Sequence, residues 1–137
     1  MKIIKGSPSQ ASQDSFVMNM LEWKRNGYYV EIGAYDALDM SNSYTLEKKY
    51  GWSGISFDIK DVDFSNRTNS CIKLDATQAD YSSIFQDNKA PTTIDYLQLD
   101  IDPAPNTLAA LKRIPFDEYR FSVITFEHDS YRGHESV

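Results

Sequence analysis

The sequence contains a single cysteine, Cys71, and two histidines in 137 residues. One cysteine cannot close an intrachain disulfide, and no Cys/His spacing points to structural zinc. Long apolar runs are missing, since nothing approaches the ~18 residues of a membrane span. The opening Met1-Lys2-Ile3-Ile4-Lys5-Gly6 carries too little apolar length to read as a signal peptide. Basic residues are in deficit, 14 against 20 acidic ones, for a net charge of −6. That balance argues against nucleic acid or an anionic membrane as a partner. Phosphate-cradling loops are absent too, for neither G-x-x-x-x-G-K-[ST] nor G-x-G-x-x-G occurs. What is present is an apolar fraction of 41%, enough for one ordinary core at this length. The expectation is a soluble, cytoplasmic, single domain over residues 1–137.

Residues 6–13 are polar and turn-rich and read as a loose leader. A helix is expected from Asp14 to Arg25, with Ser12 or Asp14 as cap and Gly27 beyond its end. Tyr28-Tyr29-Val30-Glu31-Ile32 then reads as a buried strand stopping at Gly33. Further helices are expected at Ser41–Tyr50, Tyr81–Asp87 and Pro103–Arg113. Further strands are expected at Ile55–Ile59, Cys71–Asp75, Ile94–Ile101 and Phe121–Glu127. This alternation predicts an α/β fold, a doubly wound, mostly parallel Rossmann-like sheet of about five strands. Functional groups in such a sheet gather at the carboxyl ends of the strands, where strand order reverses.

Every expected strand ends in a carboxylate: Glu31, Asp58, Asp75, Asp100 with Asp102, and Glu127 before His128 and Asp129. Acids are poor strand formers, so the recurrence suggests either helix caps and solvated edges or one acceptor-lined crevice. In the first turn, Gly33-Ala34-Tyr35-Asp36-Ala37 offers one glycine and an added acid, which suits a pyrophosphate badly. A ligand with an amine and a ribose fits better. Glu31 would face the ammonium, Gly33 would admit a close backbone approach, and Asp58 would accept the ribose hydroxyls, the pattern of S-adenosylmethionine.

The blocks Tyr29-Val30-Glu31-Ile32-Gly33-Ala34-Tyr35-Asp36, Ser41-Asn42-Ser43 and Gly51-Trp52-Ser53-Gly54-Ile55 carry a resemblance. With Ile94–Asp102 and Phe126-Glu127-His128, they resemble the FkbM-type S-adenosylmethionine-dependent methyltransferases over about residues 28–128. The resemblance implies O-methylation of a hydroxyl on a sugar or natural product, with S-adenosyl-L-methionine as cofactor. It places Glu31, Gly33, Ala34 and Tyr35 at the cofactor, joined by Asp58 and Ile59. Asp75 and Ala76 would meet adenine, and Asp100 is counted among the cofactor-binding residues. Ala37 departs from the family's second glycine, and Asp58 replaces its more usual glutamate. Pro103-Ala104-Pro105-Asn106 replaces its glycine-containing acidic turn.

Asp102 and His128 are the candidate catalytic groups, deprotonating the acceptor hydroxyl. Their cluster with Asp100, Glu127 and Asp129 also reads as a divalent-cation site or as solvated loop acids, and no metal ligand is assigned. The family's sheet has seven strands where five are expected here, so the last strands look missing and strand 121–127 would leave an apolar edge. A homodimer through that edge is the expectation. Two further functions compete with the methyltransferase. One is a truncated, non-catalytic module that binds a cofactor or partner, and the other is a nicotinamide-dependent oxidoreductase.

Overall fold

The computed structural model describes residues 2–9, 12–101 and 103–126. The chain runs α1 (Gln13–Met20), β1 (Tyr28–Ile32), α2 (Tyr44–Tyr50), β2 (Ser53–Asp58), β3 (Ser70–Lys73), α3 (Tyr81–Asp87), β4 (Thr93–Leu99), α4 (Ala104–Arg113) and β5 (Arg120–Phe126). All five strands pair in parallel in the order β3-β2-β1-β4-β5. The sheet therefore grows from β1 to β3 on one side, then the chain crosses back to lay β4 on the other. That reversal opens a crevice at the carboxyl ends of β1 and β4. The fold is the expected Rossmann-like α/β sheet.

Both faces of the central strands are covered, which is why they read as apolar runs and not as alternations. On one face Val30, Ile32, Ile55, Phe57, Leu97 and Leu99 pack with α3 (Tyr81, Phe85), with Ala110 of α4 and with Ile114 just past its end. On the other, Tyr29, Tyr96 and Val123 pack with α1 (Val17, Met18) and α2 (Leu46, Tyr50) around Trp52. Among the described residues β5 lies at the sheet edge, and there Ile124 and Phe126 are 43% and 41% exposed. Among the described residues no helix is long and apolar enough to cross a membrane.

Several boundaries differ from expectation for tertiary reasons. α1 ends at Met20, five residues before Arg25, because Glu22, Trp23 and Asn26 take left-handed φ values of 53°, 61° and 59°. The segment is pinned from outside the helix: Lys24 Nζ meets Asp95 Oδ1 at 2.7 Å, and the Trp52 indole donates to the Lys24 carbonyl at 3.0 Å. Asp95 also accepts the Tyr28 N–H at 2.9 Å, so one buried carboxylate ties the entry of β1 to β4. α2 begins at Tyr44 and not Ser41, since the Ser41 hydroxyl accepts the N–H groups of Ser43 and Tyr44 and forms a turn before the helix. β3 stops at Lys73 and β4 at Leu99, leaving Asp75 and Asp100 one or two residues past the strands.

The segment before α1 is not a loose leader. Ile4 is buried, and its N–H donates to Ser15 Oγ at 2.9 Å. Ser7 donates to the buried Asp14 carboxylate. Ser9 forms a bridge with Met40 and donates to the Asn42 side chain. Short polar side chains that look like turn formers in the sequence instead satisfy buried partners in α1 and beside α2.

Candidate functional site

The crevice at the switch point holds a cavity of about 350 Å³, within the range of small-molecule sites. All nine residues expected at a cofactor line it: the β1 end brings Glu31, Gly33, Ala34 and Tyr35, and the β2 end Asp58 and Ile59. The segment after β3 adds Asp75 and Ala76, and the β4 end adds Asp100. Asp102, Glu127, His128 and Asp129 lie outside the described residues.

Gly33 is where β1 turns over the crevice, with φ +91°. A Cβ at this position would stand 1.8 Å from the Asp100 carbonyl, so only glycine lets the ends of β1 and β4 come this close. The Asp100 N–H donates to the Ile32 carbonyl at 2.9 Å, extending the β1–β4 pairing one step past the strand. The Gly33 and Ala34 N–H groups both donate to the Phe57 carbonyl, and Tyr35 follows with φ 64° and 60% of its surface exposed.

Asp58 holds this turn against the end of β2. Its Oδ2 accepts the Tyr35 N–H at 2.9 Å and its Oδ1 the Lys60 N–H at 2.9 Å. Each oxygen keeps further acceptor capacity, and the carboxylate is fixed in orientation. Asp75 is organised the same way: its Oδ1 accepts the Thr77 hydroxyl at 2.6 Å and the Thr77 N–H at 2.9 Å, which hold its carboxyl below the usual range. Ala76 is buried, and its carbonyl accepts the Tyr81 hydroxyl at 2.6 Å.

Glu31 is different in kind. It is 2% exposed, and its Oε1 accepts the hydroxyls of Ser56 at 2.7 Å and Ser43 at 2.8 Å. Burial pushes its carboxyl up to about 7, while the two hydroxyls and the Arg67 charge pull the other way. Arg67 reaches Glu31 through Ser43, donating from Nη2 to Ser43 Oγ at 3.0 Å. Its Nε pairs with Glu47 Oε1 at 2.9 Å, with side chains 0% and 4% exposed. Further bonds run to the Ala37 carbonyl at 2.7 Å and the Tyr29 hydroxyl at 3.1 Å. Burial pushes Tyr29 up to about 12, so it stays protonated in this network.

The sequence reading missed Arg67 and Gln98. Arg67 lies in the charged connection 59–69, where an arginine reads as solvated. Gln98 had a detectable signal: it is an uncharged polar residue inside the strand Thr93–Leu99, whose faces are both covered. Lys60, Thr77 and Asn106 also line the cavity, and Lys60 is its only cation among the described residues. Cys71 offers no nucleophile here, because burial first, then the Glu31 and Asp58 charges, push its thiol up to about 12. Among the described residues no group of three or more metal-ligating side chains is close enough to hold an ion.

The site is thus an acceptor-rich crevice without a phosphate-binding loop, made by acids at or just past the ends of four parallel strands. Comparison with family models, curated proteins and solved structures returned no match.

Proposed function

We propose that this chain is an S-adenosyl-L-methionine-dependent methyltransferase of the FkbM type, acting on a hydroxyl of a sugar or natural product. The observation that carries the reading is the gathering of Glu31, Gly33, Asp58, Asp75 and Asp100 around one switch-point cavity. The donor set suits a ligand with an amine, a ribose and no phosphate. Asp58, with both oxygens oriented by backbone N–H groups, would hold the ribose hydroxyls. Asp75 and Ala76 would flank the adenine, and Glu31 the amino-acid end. Bound there, S-adenosylmethionine supplies an activated methyl group for in-line displacement, so the chain's own task is alignment and removal of a proton. Asp102 and His128 are the groups we assign to that proton.

Calorimetric titration with S-adenosylmethionine, its demethylated product and a nicotinamide dinucleotide tests this. Binding of the first two is expected, with Asp58→Ala weakening it by about 1.5–3 kcal/mol, the scale of hydrogen bonds to a charged partner. Binding of the dinucleotide alone would favour an oxidoreductase and overturn the proposal. The second reading, a non-catalytic cofactor- or partner-binding module, is favoured by one feature, Pro103-Ala104-Pro105-Asn106 at the β4 exit. Cofactor binding without methyl transfer to any hydroxyl acceptor would support it.

A further inference from the structure

One wall of the cavity is a connection without regular secondary structure. Between β1 and α2 the chain supplies Tyr35, Met40 and Asn42 to the lining. Its backbone is left-handed at Tyr35 (φ 64°) and again at Met40 (φ 56°). A residue with a side chain keeps such a conformation only where its surroundings fix it. The first half of the wall is fixed by Asp58, which accepts the Tyr35 N–H, and by Arg67, which donates to the Ala37 carbonyl. Asp36 Oδ1 adds a local turn by accepting the N–H groups of Leu38 and Asp39, each at 2.9 Å. The second half is met from the start of the chain. Ser9 forms a parallel bridge with Met40, and its hydroxyl donates to the Asn42 side chain. Ser9 in turn stands on a fixed base. Its N–H donates to Ser7 Oγ at 3.1 Å, Ser7 donates to the buried Asp14 carboxylate, and the Ile4 N–H donates to Ser15 Oγ at 2.9 Å. Its hydroxyl also lies 3.1 Å from Gln13 Oε1 at the start of α1. Segment 4–9 is therefore anchored on α1, and Ser9 is where it reaches the cavity wall.

We propose that Ser9 is a positioning residue for the cavity, holding Met40 and Asn42 in the wall so that ligand binding and the docking of segment 4–9 on α1 support each other. This role rests on the methyltransferase reading for the choice of ligand. It adds to that reading a part of the chain that lies outside the sheet and its strand-end turns. Ser9 does not line the cavity and acts through Met40 and Asn42, which do. A bond that served stability alone would lower the unfolding midpoint and leave the affinity of the folded protein unchanged. A positioning bond also sets the affinity, because without it the wall must be ordered at the moment of binding. The coupling is reciprocal, so a ligand that needs the wall in place also steadies the segment that holds it.

The probe is S-adenosylhomocysteine, titrated by calorimetry at a temperature where every variant is folded. Ser9→Ala should weaken its binding about three- to tenfold, the scale of one net hydrogen bond. Ser9→Thr keeps the hydroxyl and suits an extended bridge, so it should bring affinity back to within about twofold of wild type. Unchanged affinity in folded Ser9→Ala, whatever its midpoint, would overturn the inference. An equal loss in Ser9→Thr would overturn it too, because the hydroxyl would then not be the tie. Hydrogen exchange on the wild-type protein needs no variant. Adding the probe should slow exchange of the Ile4 and Ser9 amides together with those of 34–42, and slowing confined to 34–42 would count against Ser9 as decisively. Failure of the wild-type protein to bind S-adenosylhomocysteine at all would instead remove the methyltransferase reading, and this inference with it.

Discussion

Arg67→Met should be among the most damaging single substitutions in the chain. The guanidinium is fully buried and donates to Glu47, to the Ala37 carbonyl, to Tyr29 and to Ser43. It also packs over the Phe64 and Tyr44 rings, at 4.6 and 5.7 Å from their centroids. Methionine keeps part of the packing and none of the bonds. Removing one member of a buried ion pair costs about 3–5 kcal/mol, because the other charge stays buried without compensation. Glu47 retains the N–H groups of Thr68 and Asn69, at 3.0 and 3.2 Å, which places the expected loss near the lower end. At about 3–4 °C per kcal/mol for a domain of this size, the thermal midpoint should fall by roughly 10 °C. Urea denaturation of wild type, Arg67→Met, Glu47→Gln and the double variant is the assay. The double variant should cost less than the sum of the singles, with a coupling of about 1–3 kcal/mol. A loss below about 1 kcal/mol for Arg67→Met, or strict additivity, would refute the account of Arg67 as the buried anchor of the 59–69 connection.

Two further outcomes follow from the geometry. Glu31 titrates near 4.5 when unfolded and near 7 when folded, so between those values the folded chain holds a proton that the unfolded chain has lost. Its contribution to stability therefore declines as pH rises from about 4.5 to about 7, by a few kcal/mol, and stays flat above that. Denaturation at pH 5 and pH 8 should show Glu31→Gln gaining on wild type at the higher pH, and parallel behaviour would show that burial does not set this carboxyl. We also propose that the β5 edge pairs two copies of the chain, through the strand that exposes Ile124 and Phe126. Sedimentation over a wide concentration range should show a dimer that Ile124→Lys weakens, and a single monomeric species throughout would remove that proposal.

Strands were the most legible part of the sequence, because a strand covered on both faces is mostly apolar, and β1 and β4 break that run only at a few polar side chains such as Glu31, Asp95 and Gln98. α3 was read at its observed limits, Tyr81–Asp87, where Asp80 caps it by accepting the Ser83 N–H. α1 was read too long because Trp23 continues the apolar spacing of Phe16, Val17 and Met20. Yet Trp23 packs on Tyr50 from a left-handed backbone, a contact that local periodicity cannot encode. The residues before α1 failed for a related reason. Serines that bond to Asp14 or Asn42 look the same in sequence as serines that bond to water. At the site, the cavity-lining acids announced themselves by falling at strand ends, whereas Arg67 and Gln98 depend on which side chains the folded chain sets beside them.

That division has a physical origin. Residues at the ends of parallel strands are placed by topology alone, so any sequence that specifies the strands also specifies which side chains rim the crevice. Residues under the rim are placed by packing, and burial there changes what they are. Glu31 stands at a strand end, the position from which the sequence has it facing an ammonium. Burial pushes its carboxyl up to about 7 against the pull of two serine hydroxyls, and those hydroxyls fix it in place. Its neighbour in register, Gln98, is buried beside it, with an Oε1 that has no partner among the described residues. Arg67 then joins this floor to the rest of the molecule. Through Ser43 it bears on Glu31, and through the Ala37 carbonyl it holds the segment between β1 and α2, from which Met40 and Asn42 also line the cavity. Loosening the 59–69 connection should therefore disturb the cavity as well as stability, although Arg67 itself does not line it.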